Sequence, residues 1–199
     1  MISPLIWYFR MVAVCSQALG RPDAALNNWQ KILSINPSDA KTLMSMALLK
    51  SELNDRPGAL ALTAQALRSN PGNASFWFNQ GFLQQEQDEH SGALQSFEHA
   101  LGLDPKLDRA WYGKALSLIK LQKLDEAIAA LLRNTELQPM SPYGWYQLAH
   151  LYHRLGQTDS VKKVIRKLSG FEPNVALQLQ RETGVDIGFK SPLGQAMAP

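Results

Sequence analysis

The chain has 199 residues, of which 45% are apolar and 19% charged, with a formal net charge of +3. That length and apolar content support one or two compact domains or a repeat array, and exclude a chain disordered throughout. The small cationic excess is no argument for nucleic acid. A single cysteine, Cys15, excludes an internal disulfide framework and fits a reducing cytoplasm.

In chain order, the first segment is LIWYFRMVAVCSQALG, residues 5–20. It has the apolar stretch of a secretory signal, but its basic residue, Arg10, sits inside the run and nothing basic precedes it. The run is also too short to span a membrane. Apolar residues at i, i+3, i+4 and i+7 predict amphipathic helices instead, the first near 6–19 and its partner near 22–34. Further pairs are predicted near 40–53 and 56–69, 74–87 and 90–102, 108–121 and 124–136, and 142–155 and 158–170. Pro22 and Pro57 suit the openings of second helices, and Ser141-Pro142 reads as an N-cap followed by a first-turn proline. NVALQLQRET, residues 174–183, predicts a terminal capping helix; GVDIGFKSPLGQAMAP, residues 184–199, reads as extended or disordered. The first helix is apolar nearly all round, so it is expected to be covered by a second copy, a partner or the C-terminal tail.

The pairs repeat. Prolines stand at 37, 71, 105, 139 and 173, each 34 residues from the last, which defines units 6–39, 40–73, 74–107, 108–141 and 142–175 with proline at position 32. Position 4 then holds Phe9, Leu43, Trp77, Trp111 and Trp145, and position 8 holds Ala13, Ala47, Gly81, Ala115 and Ala149. Position 20 holds Ala25, Ala59, Ala93, Ala127 and Val161, and position 24 holds Trp29, Thr63, Phe97, Leu131 and Ile165. Small residues at 8 and 20 let two helix backbones approach closely.

This pattern resembles the tetratricopeptide repeat (TPR) family over residues 6 to about 175, nearly nine-tenths of the chain. Tyr stands at position 11 only as Tyr152, and Asn134 replaces a small apolar residue at position 27. The resemblance implies an all-α, right-handed superhelical α-solenoid: five helix-turn-helix units and a capping helix, together residues 1–183, then the tail. It also implies that positions 2, 5, 6, 9 and 12 of the first helices line a concave groove. Those positions supply Trp7, Arg10, Met44, Phe78, Asn79, Phe82, Arg109, Tyr112, Tyr143, Tyr146 and His150. Such a groove is aromatic and lightly charged, suited to a peptide with apolar anchors and an acidic group. The clamp by which some TPR domains hold a chaperone's C-terminal carboxylates is not matched: its five positions read Met44, Leu48, Asn79, Arg109 and Gly113, of which two fit.

Enzyme chemistry has no constellation here. His150 and His153 lie one turn apart without a third ligand, Cys15 has no activating neighbour, and the glycines form no phosphate loop. VKKVIRKL, residues 161–168, is basic but reads as a solvated face. The expectation is a non-catalytic, cytoplasmic interaction scaffold that binds a protein or peptide, with no cofactor, metal, nucleic acid or membrane. The alternatives are self-association through residues 1–20 or the tail, and an accessory factor that chaperones a specific protein.

Overall fold

The computed structural model describes residues 4–189, and every regular element among them is a helix. The order is α1 (Pro4–Ala18), α2 (Pro22–Ile35), α3 (Ala40–Glu52), α4 (Arg56–Ser69), α5 (Ala74–Gln85), α6 (His90–Leu103), α7 (Asp108–Lys120), α8 (Leu124–Leu137), α9 (Pro142–Arg154), α10 (Thr158–Ser169) and α11 (Pro173–Thr183). This is the all-α helical solenoid architecture that the repeat implies. The chain divides into two compact halves, one ending at Leu107 and the other beginning at Asp108. Within each half, consecutive helices pack as hairpins.

The hairpins close on their small residues. Ala13, Ala25, Ala47, Ala59, Ala93, Ala115, Ala127 and Ala149 are all completely buried, as is Val161. In α5 the small residue is Gly81, and a Cβ there would lie 2.8 Å from the ring of Phe97, itself fully buried. Each side chain therefore sits where its neighbour is short, which is how dense packing is reached without strain. Thr63 answers the loss of a large residue at position 24 of α4 by donating its buried hydroxyl to the Ala59 carbonyl, 2.9 Å away. The departure at position 27 is similarly satisfied: Asn134 is buried and donates to the Asp108 carbonyl at 2.9 Å. Gly144 makes room for it, since a Cβ on Gly144 would fall on the Asn134 amide oxygen.

The turns share a device that the helical periodicity does not reveal. Gly20, Asn54, Asp88, Gln122 and Gly156 all have φ between 58° and 69°, and all fall on position 15. One left-handed residue reverses the chain inside every hairpin, at a cost of about 1–2 kcal/mol where it is not glycine. Between hairpins the proline works with the residue six positions on. The Trp77 indole N–H donates to the Pro71 carbonyl at 2.8 Å, and Trp145 to Pro139 at 3.0 Å.

The fifth joint differs. Pro37, Pro71 and Pro139 lie in turns, but Pro173 is the first residue of α11. The helix ends at Gly184, in the left-handed conformation suited to a C-terminal cap. Residues 184–189 then run without helix against α11: Val185 is buried, and the Gln180 amide accepts from Ile187 N at 3.1 Å and donates to Phe189 O at 3.1 Å. This short stretch of the expected tail is thus held against α11 without regular structure; residues 190–199 lie outside the described residues. On its other side α11 meets α9 through Glu182, whose carboxylate accepts from the Tyr146 hydroxyl at 2.8 Å and from the Gln178 amide at 2.8 Å, and lies 3.0 Å from His150 Nε2.

Two predictions concern stability. Gly81→Ala should lower it by about 1 kcal/mol, because overpacking of about 1–3 kcal/mol outweighs a helix-propensity gain of about 1 kcal/mol. Gly102→Ala, in the same half and with nothing within 4 Å of a new Cβ, should raise it by up to about 1 kcal/mol; paired urea melts check both. The docking of α11 should also depend on pH. Hydrogen bonds from Gln178 and Tyr146, with His150, lower the Glu182 pKa, and the bond to Glu182 raises that of Tyr146. A lowered acid stabilises above its ordinary value and loses that contribution as pH falls through the folded value; a raised tyrosine loses its own as pH climbs through its folded value. Amide protection factors in α11, taken relative to the intrinsic exchange rate at each pH, should therefore be highest in a plateau between about pH 5 and pH 9 and fall beyond either edge.

Candidate functional site

The residues expected to line a groove stand on the first helices, and they do not share one environment. In the N-terminal half Trp7 is 60% exposed and Phe82 43% exposed, while Phe78 and Asn79 are half-buried. The Phe78 ring leans on Phe97 at 5.9 Å, which fixes it from behind. Two of these residues are committed within the chain. Met44 is 4% exposed and packs with Leu43, Ala47, Ala66, Leu67 and Phe76, so it belongs to the core. Position 5 of α3 faces the neighbouring hairpin rather than solvent. Arg10 is likewise engaged: its guanidinium donates to the Asp39 carboxylate at 2.6 Å, and the Thr42 hydroxyl completes that acceptor. Its charge is answered within the chain.

In the C-terminal half Tyr143 is 71% exposed, Arg109 is exposed and Tyr112 is half-buried. Tyr146 and His150 pack edge to face with centroids 4.5 Å apart. Both point at Glu182 of α11. His153, one turn on, is exposed. Among the described residues no group of three or more His, Cys, Asp or Glu is arranged to hold a metal ion. Cys15 is exposed on α1, because α1 buries only Ala13 fully and leaves much of its apolar surface open. Leu5, Trp7, Tyr8, Met11 and Val14 are each about half exposed.

Three tryptophans hold the same register position on the first helices and differ in what covers them. Trp77 stacks on His99, centroids 4.5 Å apart and planes at 26°. Trp111 lies beneath the Lys114 ammonium, 5.8 Å from the ring centroid. Trp145 has no such cover among the described residues and instead lines a cleft of about 450 Å³ with Leu132, Leu148, Tyr152, Ser160, Lys163, Val164 and Lys167. Burial raises the pKa of the Tyr152 hydroxyl. The sequence offered the basic half of this cleft as VKKVIRKL, and its apolar floor is assembled from three separate helices, α8, α9 and α10.

Known proteins match this chain in three stretches. The family described as anaphase-promoting complex, cyclosome, subunit 3 matches residues 54–134, the TPR repeat family residues 116–156, and the tetratricopeptide repeat family residues 142–175. No curated protein sequence matches significantly. Among solved structures, residues 41 to the end of MamA from Desulfovibrio magneticus RS-1 superpose with a TM-score of 0.74 at 18% identity, covering 92% of this chain and 98% of that one. PilW, described as a widely conserved type IV pilus biogenesis factor, gives 0.75 at 17% identity over 98% of this chain and all of its own. YrrB, described as a TPR protein with an unusual peptide-binding site, gives 0.71 at 18% identity over 87% of this chain and 90% of its own. With the 34-residue register and the hairpins closed on small residues, the family models over residues 116–175 identify a tetratricopeptide repeat protein.

Proposed function

We propose that this protein is a non-catalytic interaction scaffold whose first helices receive a segment of a partner protein on exposed aromatic side chains. The observation that carries the reading is the exposure of aromatic rings on groove positions in each half, Phe82 in the first and Tyr143 with half-buried Tyr112 in the second, while Trp29, Phe97 and Leu131 of the second helices are buried. Aromatic rings held on rigid helices are strong anchors because little freedom is lost when they are covered. The YrrB likeness, to a TPR protein described by its peptide-binding site, is consistent with this use of the fold. Arg10 and His150 are engaged within the chain, so the surface recognises shape and apolar anchors more than charge. No helix among the described residues is long and apolar enough to cross a membrane.

A second reading is favoured by α1: its half-exposed Trp7, Met11 and Val14 follow i, i+4, i+7 spacing and form a continuous apolar stripe. Exposed stripes of this kind mark contacts, and here a second copy of the chain is the proposed cover.

The two readings predict different losses. Replacing Phe82, Tyr112 and Tyr143 by alanine should leave helicity intact and reduce capture of native-host partners at least about tenfold, since anchors of this kind contribute about 1–2 kcal/mol each. An unchanged captured set would overturn the groove. Trp7→Glu with Met11→Glu should convert a dimer into a monomer in light scattering, and a wild-type chain that is already monomeric would remove the second reading.

A further inference from the structure

The cleft beside Trp145 is built unlike its counterpart one unit earlier. There, Trp111 is covered by Lys114, and Arg133 is neutralised by Glu136 at 2.7 Å. Around Trp145 every one of these provisions is missing. Leu148 stands at the register position of Lys114, so no cation covers the indole. Lys163 stands where the earlier unit has Ala129, and Lys167 where it has Arg133. Neither lysine makes an ion pair among the described residues, although Lys162 on the same helix is 3.8 Å from Asp159. The result is an apolar floor, including Leu132 at 41% exposure, bordered by two unanswered positive charges.

We propose that this cleft between α8, α9 and α10 is a second docking site, which takes an acidic segment of a partner protein carrying an apolar side chain. Lys163 and Lys167 are one turn apart, so their attachment points are separated by about 6 Å along the helix. Two carboxylates at alternate residues of an extended strand have nearly that spacing, about 6.6 Å. The apolar side chain covers the Trp145 face and Leu132, and the Tyr152 hydroxyl at the cleft wall is available to a peptide carbonyl. Burial of the floor supplies the attraction and the lysines select the partner's sign. The site is separate from the exposed aromatics of the first helices and does not depend on their role.

The full chain is titrated into the fluorescein-labelled peptide Asp-Phe-Asp-Leu-Glu and followed by anisotropy. Wild type should bind; Lys163→Glu with Lys167→Glu should weaken binding at least about tenfold, and Leu132→Ser about threefold or more. Lys162→Glu on the same helix, and Tyr112→Ala with Tyr143→Ala, should change it less than about twofold. In nitrogen-proton spectra the Trp145 indole signal should shift on binding, which ties the effect to the cleft even if a variant is unstable. Failure of wild type to bind, or binding indifferent to the lysine reversals, overturns the proposal. So does equal binding of Asp-Ser-Asp-Ser-Glu, which would make the helix a plain basic face. Displacement of the peptide by phosphatidylserine vesicles or duplex DNA at lower concentration overturns it in favour of those anions.

Discussion

Everything else in this molecule depends on two helices of a hairpin coming close enough to keep their crossing to small side chains, alanine or glycine everywhere but Val161 in the last hairpin. The buried alanines at positions 8 and 20 set that approach, and Gly81 shows its limit, where even a methyl would meet the ring of Phe97. Once the crossing is fixed, the large residues have one way to interlock, and the outward faces of both helices are fixed with them. Aromatic exposure on the first helices and charge placement on α10 are consequences of that geometry.

Much of this was legible because the packing is local and periodic. A helix pair buries the same positions each time, so small residues recurring at 34-residue intervals report the crossing directly. The proline spacing reported the joints, and its link to the tryptophan six residues later proves to be an indole–carbonyl hydrogen bond at Pro71 and Pro139. Legibility failed where a residue's fate is decided by a neighbour outside the period. Met44 holds a groove position by number and a core position by contact. Arg10 finds Asp39, and Tyr146 and His150 find Glu182, across distances in sequence that no single-helix pattern encodes. The left-handed turn residues could have been found: Gly20 and Gly156 share a register position, and Asn54 and Asp88 tolerate the same backbone.

The functional surfaces follow from what the packing leaves over. Repeats tolerate variation at positions that the crossing does not use, so that is where one unit can be made unlike the next. Units three, four and five keep a tryptophan at the joint and differ in its cover: a histidine ring, a lysine, or neither among the described residues. Identical scaffolding with unequal cover makes the surface of one unit unlike that of the next.

The early start of α11 bears on how such chains are numbered. Pro173 arrives three residues before a 34-residue count would open the next unit. If counting restarts at Pro173, the fully packed residues Ala176, Leu179 and Thr183 fall on positions 4, 7 and 11, as in an ordinary first helix. Position 8 then falls on Gln180, where every earlier first helix carries Ala or Gly. A long amide there would block a partner helix, and among the described residues it holds the backbone of Ile187 and Phe189 instead. Phase is therefore a property of contact and not of arithmetic, and the residue at the crossing tells a helix that expects a mate from one that does not.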